Sequence, residues 1–447
     1  MKPVKLQSLN VVHSPVLGGL DGEQIPATVP NTPLAPLPLS LTPAAHRQTT
    51  EKFLDGVRSF REFGQPTRTF EEGGVTYFVN AFWTAAQRQA HALHEISYRA
   101  CFKPQVPAFF IARLTKPGEA VHDPFMGRGT TPLQAALMGR QPLGNDINPL
   151  STLLVRPRLT PPSLAAVADR LEEVPWDRVG SPQRKDLLAF YGPQTLARLE
   201  LLRDWLLERA PLDLEQPDPV DDWIRMVALN RLTGHSPGFF SGRTMPPNQA
   251  VSVAGQMRIN EKLGITAQPE RDIPAVLVKK SRGLLKDGVP APHREAILLT
   301  GPAHTTPGIP DGSVALVVTS PPFLDIVQYA TDNWLRCWFS GIDPNGVALA
   351  MHRTETAWQA MVRDVLIEQA RILRPGGHVA FEVGEVRKGK VLLERLVWAA
   401  AEGLPFERLG VMINNQTFTK TANCWGVSND TSGTNTNRIV VLKRQGA

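Results

Sequence analysis

Two short segments of the 447-residue chain hold residues that could do chemistry together. The first is Asp123-Pro-Phe125-Met-Gly127-Arg-Gly129-Thr130-Thr131. Glycine at 127 and 129 lets a backbone turn approach a bound molecule where a Cβ would collide. The segment lacks the third glycine of the turn that cradles a pyrophosphate. It also lacks the Gly-Lys-Ser/Thr of a phosphate loop. Asp146 follows 23 positions after Asp123, at the end of the next expected strand. An acid there can accept hydrogen bonds from both hydroxyls of a ribose. The combination suits a nucleoside without a pyrophosphate, of which S-adenosylmethionine is the common one. A structural glycine turn with an exposed acid is the plainer reading. The Asp-Pro-Phe before the turn, the Thr-Thr after it and Asp146-Ile147-Asn-Pro149 weigh against it.

The second segment is Thr319-Ser320-Pro321-Pro322-Phe323. Two consecutive prolines remove two N–H donors and stiffen the turn, leaving carbonyls as acceptors. The Ser320 hydroxyl and the Pro321 carbonyl can then accept hydrogen bonds from an exocyclic amine, and Phe323 offers a flat face to a planar base. The lone pair of a base amine is delocalised into its ring and is a poor nucleophile. Acceptors that hold both N–H bonds out of the ring plane favour a tetrahedral nitrogen, which can attack a sulfonium methyl in line. Proximity supplies much of the remaining acceleration. A base reaches such a pocket only by leaving the helix stack. The alternative is a rigid proline turn with a packed phenylalanine.

Positioning these segments needs a sheet. Val121-His-Asp123 reads as a strand end, Thr131 to Met138 as a helix closed by Gly139, and Pro142 to Asp146 as a second strand. This β-turn-α-β order argues for a parallel sheet. The sheet resumes near Ala296 to Thr300. Val314 to Thr319 is a buried-strand run ending at Ser320, which puts the serine at the carboxyl edge, where open α/β sheets bind ligands. Leu373-Arg-Pro-Gly-Gly377 is expected to turn into a strand over Val379 to Val383, and Arg438 to Lys443 reads as a last strand. From about 46 to 118 the pattern reads as helical.

Composition bounds the rest. The chain is 42% hydrophobic and 20% charged, which excludes disorder throughout. Three cysteines, Cys101, Cys337 and Cys424, form no CxxC pair, exclude a disulfide framework and fit a reducing cytoplasm. No apolar run approaches the ~18 residues of a membrane span, and the N-terminus lacks a secretory pattern. Eight of the 40 prolines fall in the first 45 residues, which read as a flexible arm. The net charge is +6, but it is unevenly spread. Residues 155–222 carry a net −4, whereas 223–294 hold 11 Lys and Arg against 4 Asp and Glu, a net +7. That basic stretch permits a polyanionic partner, with Arg231, His235, Arg243, Lys279, Lys280 and Arg282 as its candidate contacts. Arg387-Lys388-Gly-Lys390 follows an expected strand and adds a second candidate backbone contact.

The two motifs together resemble the amino-methyltransferases of DNA. Asp123 to Thr131 is similar to their cofactor-binding turn, and Asp146-Ile147-Asn-Pro149 to their acidic second motif. Thr319 to Phe323 is similar to their catalytic motif, in the serine form usual for N4-cytosine enzymes. Tyr98 to Pro107, Asp332 to Arg336, Leu373 to Gly377 and Asn423 to Arg438 resemble flanking segments. The resemblance implies an α/β fold: a Rossmann-like methyltransferase sheet with helices on both faces, and an inserted, mainly helical target-recognition region. It implies an arm over 1–45, a cofactor half over 46–150, the insert over 151–295 and a catalytic half over 296–447, the order of the family's α-type arrangement. The insert begins earlier than that arrangement usually has it. Gly301-Pro-Ala303 also departs, because Pro302 stands where the family often has an acid near the adenine amine.

The implied activity is site-specific N4-cytosine methylation of double-stranded DNA, with S-adenosyl-L-methionine as cofactor and Ser320, Pro321, Pro322 and Phe323 at the target amine. Asp123, Phe125, Gly127, Gly129, Thr130, Thr131, Asp146 and Ile147 would hold the cofactor. A cytoplasmic, nucleoid-associated enzyme with a cognate restriction endonuclease fits that reading. N6-adenine methylation, an RNA or protein substrate, and an inactive DNA-binding regulator are the competing readings. C5 chemistry needs a cysteine nucleophile, usually after proline, and here the cysteines follow Ala100, Arg336 and Asn423.

Overall fold

A computed structural model describes residues 49–446 apart from 84–89, 99–100, 215, 245–249, 325–328, 348–351, 388–389 and 416–436. The proline-rich arm, Lys388, Cys424 and most of the segment from Asn423 to Arg438 lie outside the described residues.

The chain enters through α1 (Thr50–Arg58), capped by the Thr49 side chain on the Lys52 N–H. Residues expected to continue in helix then form a hairpin, β1 (Arg68–Glu72) and β2 (Val75–Asn80). Gly73 and Gly74 sit at φ +61° and +73°, the geometry a two-residue hairpin turn requires. The alternation of β-branched and aromatic residues in Val-Thr-Tyr-Phe-Val outweighs the helical spacing around it. A single helical turn at Ala92–His94 and α2 (Gln105–Leu114) follow.

Next come β3 (Ala120–Asp123), α3 (Thr130–Leu137) and β4 (Gln141–Asp146), the expected β-turn-α-β unit, with β3 and β4 parallel. Asn148 accepts from the Leu150 N–H at 2.9 Å and Pro149 takes the first helical position, so α4 (Pro149–Leu159) starts directly after β4. Helices α5 (Leu164–Glu172), α6 (Pro193–Arg209), α7 (Pro219–Leu229), α8 (Val253–Lys262) and α9 (Ile273–Leu284) fill the insert. Many of its acids are held by arginines. Asp222 meets Arg156 at 2.7 Å, while Asp221 meets Arg170 at 2.5 Å and Arg209 at 2.9 Å, which ties α4, α5, α6 and α7 together.

The chain returns through β5 (Ile297–Thr300), β6 (Val314–Thr319), α10 (Tyr329–Ser340), α11 (Glu355–Ile372) and β7 (Leu373–Val383). A small hairpin, β8 (Glu385–Val386) with β9 (Val391–Leu392), leads to α12 (Leu393–Ala400), β10 (Phe406–Asn414) and β11 (Asn437–Arg444). Pro375 to Gly377 interrupt the β6–β7 register between Leu373 and His378, where the sequence placed a turn.

Among the described residues, nine of the eleven strands form one sheet in the order β1-β2-β10-β11-β7-β6-β3-β4-β5. From β5 to β7 neighbouring strands are parallel, and β11 runs antiparallel between β7 and β10. The chain starts this parallel run in its middle at β3, builds outward to β5, then crosses to β6 and β7 on the other side. Ligands bind at such a switch, outside the carboxyl ends of the strands. Asp123 and Ser320 stand on either side of it.

Helices cover both faces. Phe53, Phe110 and Ala135, from α1, α2 and α3, pack with Val318, Ala380 and Val441 on one face. Trp358, Val365 and Val397, from α11 and α12, pack with Val317, Phe381 and Val440 on the other. A third core joins residues 151–295 to the β3–α3–β4 unit and the segment before it: Val155, Trp223 and Leu277 share it with Leu93, Met126 and Leu133, and with Cys337 and Phe339 of α10. Burying each such side chain contributes about 1.5–3 kcal/mol. Among the described residues no helix is long and apolar enough to cross a membrane.

Candidate active site

The first wall is the turn after β3. Asp123 is buried, and its Oδ1 accepts from the Thr319 hydroxyl at 2.6 Å and the Phe125 N–H at 3.1 Å. Burial pushes this carboxyl up to about 7, against those hydrogen bonds. Gly127 and Gly129 lie at φ +49° and +77°. A Cβ at Gly127 would stand 3.6 Å from the Tyr98 ring, and one at Gly129 would strike Val155 of α4 at 2.2 Å. Thr130 opens α3, and the Thr131 hydroxyl donates to the Val318 carbonyl at 2.9 Å, fastening the turn to β6.

Asp146 ends β4 beside this turn. Its two oxygens accept from the Gly127 N–H at 2.8 Å and the Asn148 N–H at 2.9 Å. Burial raises its carboxyl as well. It keeps partial exposure, as do Phe125 and Ile147. Gly301 donates to the Asp146 carbonyl at 3.0 Å and accepts from the Asn145 amide at 2.9 Å, so the Gly-Pro-Ala segment does lie beside the acid. Pro302 is exposed.

Several residues hold this turn that the sequence reading left without that role: Tyr98 and Arg128 stood only within longer motif segments, and Arg158 was not singled out. Tyr98 stands over Gly127 and its phenol accepts from Asn148 Nδ2 at 3.2 Å. Arg128 donates to the Ile96 carbonyl at 3.0 Å. Arg158 of α4 is fully buried and donates to the carbonyls of Leu154 at 2.7 Å, Leu93 at 3.1 Å and Arg128. An arginine inside the apolar stretch Leu153 to Leu159 was the available signal.

The second wall is the corner after β6. Pro321 is buried and Ser320, Pro322 and Phe323 are partly exposed. The Trp358 indole of α11 donates to the Pro322 carbonyl at 2.9 Å, which fixes the corner from below. Phe323 packs in part against the same core as Trp358. Ser320 is hydrogen-bonded to Glu382, a buried acid near the end of β7 that the sequence did not single out. The Asn437 amide at the start of β11 donates to the same carboxylate.

The cationic candidates are not brought into one group. Arg231 is turned inward: its guanidinium lies 4.0 Å from the Phe239 ring centre and donates to the Asn230 carbonyl at 2.7 Å. Lys280 donates to the Glu95 carbonyl at 2.8 Å, and burial lowers its pKa to about 8. His235, Arg243, Lys279 and Arg282 are exposed on the insert. Arg387 and Lys390 are exposed beside the β8–β9 hairpin, where Arg387 pairs with Glu355 at 3.3 Å.

Residues 65–151, which contain the hairpin, the glycine turn and Asp146, match the N6/N4 DNA methylase family. The Type II methyltransferase M.MjaII of Methanocaldococcus jannaschii is 36% identical over 72 residues, which cover 16% of this chain and 13% of that protein. Among solved structures, TTHA0409 of Thermus thermophilus, complexed with S-adenosyl-L-methionine, is 21% identical over 33% of this chain and 54% of its own, with a TM-score of 0.21. The rRNA methyltransferase aviRa of Streptomyces viridochromogenes is 12% identical over 81% of this chain and 96% of its own, with a TM-score of 0.29.

Proposed function

We propose that the chain is a sequence-specific DNA methyltransferase that uses S-adenosyl-L-methionine to methylate the N4 amine of a flipped-out cytosine. The observation that carries this reading is the direct fastening of the glycine turn to the serine corner. Thr131 bonds Val318, and Asp123 bonds Thr319, one residue before Ser320. A nucleoside cradle and an amine-holding corner therefore share one crevice. The turn fits the cofactor, because the space beside Gly127 and Tyr98 is one that a side chain would fill.

Gly127 and Gly129 admit the cofactor to the backbone. Asp146, held by backbone N–H groups, presents its remaining lone pairs to the ribose hydroxyls, with Phe125, Ile147, Thr130 and Thr131 around it. The bound cofactor supplies an electrophilic methyl on a sulfonium. The Ser320 hydroxyl and the Pro321 carbonyl accept the N–H bonds of the amine and free its lone pair. Trp358 holds the Pro322 carbonyl and so keeps the corner rigid. Phe323 stacks against the base. Serine at 320 supports cytosine as the target. The exposed cations of the insert, Arg243, Lys279 and Arg282, contact phosphates of duplex DNA, with Arg387 and Lys390 nearer the corner.

Ser320→Ala tests the corner. Transfer of labelled methyl to DNA is expected to fall by about 100-fold, the usual loss for one such hydrogen-bonding group, with cofactor affinity unchanged. Equal loss of cofactor affinity and turnover would contradict the assignment.

A further inference from the structure

The carboxylate of Glu382 lies at the bottom of the proposed crevice, and the mechanism above leaves it unused. In the parallel pairing of β6 with β7, Thr319 stands opposite Phe381. Ser320 and Glu382 are the next residues out on each strand. Val318 and Ala380, two positions earlier, belong to the same core, so Ser320 and Glu382 continue on one face of the sheet.

Glu382 is only 6% exposed. Burying a carboxylate is costly without a cation, and a position with only a packing role takes an apolar residue more readily. The groups that hold Glu382 are neutral: the Ser320 hydroxyl and the Asn437 amide. Cys101, in the segment before α2, is close enough to interact with it electrostatically, and Arg128 and Arg158 act on Cys101 in turn. Arg438, next along β11, bonds Glu394 at 2.6 Å.

We infer that Glu382 is a positioning residue for Ser320 and the final acceptor of the proton released by methylation; this rests on the DNA methyltransferase reading above. A serine hydroxyl has one proton and two lone pairs. With the proton donated to Glu382, both lone pairs are left for the target amine, so the buried carboxylate fixes Ser320 as an acceptor. When the N–C bond forms, the C–S bond breaks and its electron pair stays on sulfur. The nitrogen then carries one proton too many. That proton passes to Ser320 Oγ as the serine proton passes to Glu382, which leaves a neutral methylamine, an intact serine and a protonated carboxyl. Burial raises the Glu382 carboxyl to about 7, close to working pH, where a proton acceptor is most effective.

The test compares wild type with Glu382→Gln, which keeps size and an acceptor for Ser320 but cannot take a proton. Wild-type kcat is expected to rise with pH and level off above about 7, the ionisation of this carboxyl. Glu382→Gln is expected to lose about 100-fold in kcat together with that inflection, with DNA and cofactor affinities retained. Carbon NMR of chain labelled at the glutamate carboxyl should show a resonance with a midpoint near 7 that is missing from Glu382→Gln. If Glu382→Gln fails to fold, Glu382→Asp and the wild-type titration decide instead: aspartate should retain the inflection at reduced rate. Wild-type rate and pH profile in Glu382→Gln, or no glutamate titrating near neutrality, would overturn the inference. A wild-type protein that methylates no DNA would overturn the functional reading instead, while the titration still reports on the carboxyl.

Discussion

Gly129→Ala is the sharpest perturbation of the proposed cofactor turn. The added Cβ would lie 2.2 Å from Val155 Cγ2 and 2.9 Å from Cγ1, on a backbone at φ +77°. Val155 is fully buried in α4 and belongs to the core that joins the insert to the turn, so it has little room to rotate away. Two costs add. The left-handed conformation costs a non-glycine residue about 1–2 kcal/mol. Overpacking a close-packed core costs about 1–3 kcal/mol. The sum is about 2–5 kcal/mol, a large part of the 5–15 kcal/mol typical of a folded domain. Urea unfolding followed by circular dichroism reads the loss, and titration calorimetry reads cofactor affinity on the same samples. Val155→Ala separates the two costs. In the double variant the collision is relieved and the backbone cost remains, so the variants should couple by about 1–3 kcal/mol rather than add. A Gly129→Ala protein within about 0.5 kcal/mol of wild type, or strictly additive variants, would refute the close approach of turn and insert.

Three further outcomes follow from the site. Asp146→Ala should weaken S-adenosyl-L-methionine binding by about tenfold to a hundredfold by calorimetry, the worth of hydrogen bonds to a charged group, and unchanged affinity would remove the acid from the cofactor site. Asp123 and Glu382 keep their protons up to about pH 7 when folded, whereas an unfolded chain loses them near 4. The folded state therefore binds more protons across that window, and stability should fall as pH rises through it; Asp123→Asn should flatten the decline in urea midpoints between pH 5 and 8, and an equal slope would contradict the buried acid. Affinity for duplex DNA should fall steeply with salt, and Arg243→Ala with Lys279→Ala and Arg282→Ala should shallow the slope by about 2–3. A slope unaffected by all three would remove these side chains from the interface.

The candidate site was legible where its residues lie close together in sequence. Asp123 to Thr131 combines strand end, glycine turn and helix start within nine residues, and Ser320-Pro321-Pro322 follows an unbroken apolar strand. Both patterns need only nearby sequence to be read. Glu382 was not legible because Val-Ala-Phe-Glu-Val reads as an ordinary strand, and the meaning of its acid depends on the register of β7 against β6. Arg231 and Lys280 looked like surface cations in a basic stretch, but the fold turns the first onto Phe239 and the second onto the Glu95 carbonyl. The β1–β2 hairpin was read as helix because its aromatic residues also satisfy helical spacing. Its two-glycine turn was the signal to weigh. The charge split of the insert was visible, yet the reason for the acidic half was not: Asp221 and Asp222 bind arginines between helices far apart in sequence.

The most direct measurement is the identity of the modified base. Duplex DNA incubated with the protein and S-adenosyl-L-methionine, then digested to nucleosides and resolved by mass spectrometry, should contain N4-methylcytosine and no other methylated base. N6-methyladenine without N4-methylcytosine would contradict the assignment of the serine corner to cytosine, and unmodified DNA would contradict the proposed activity.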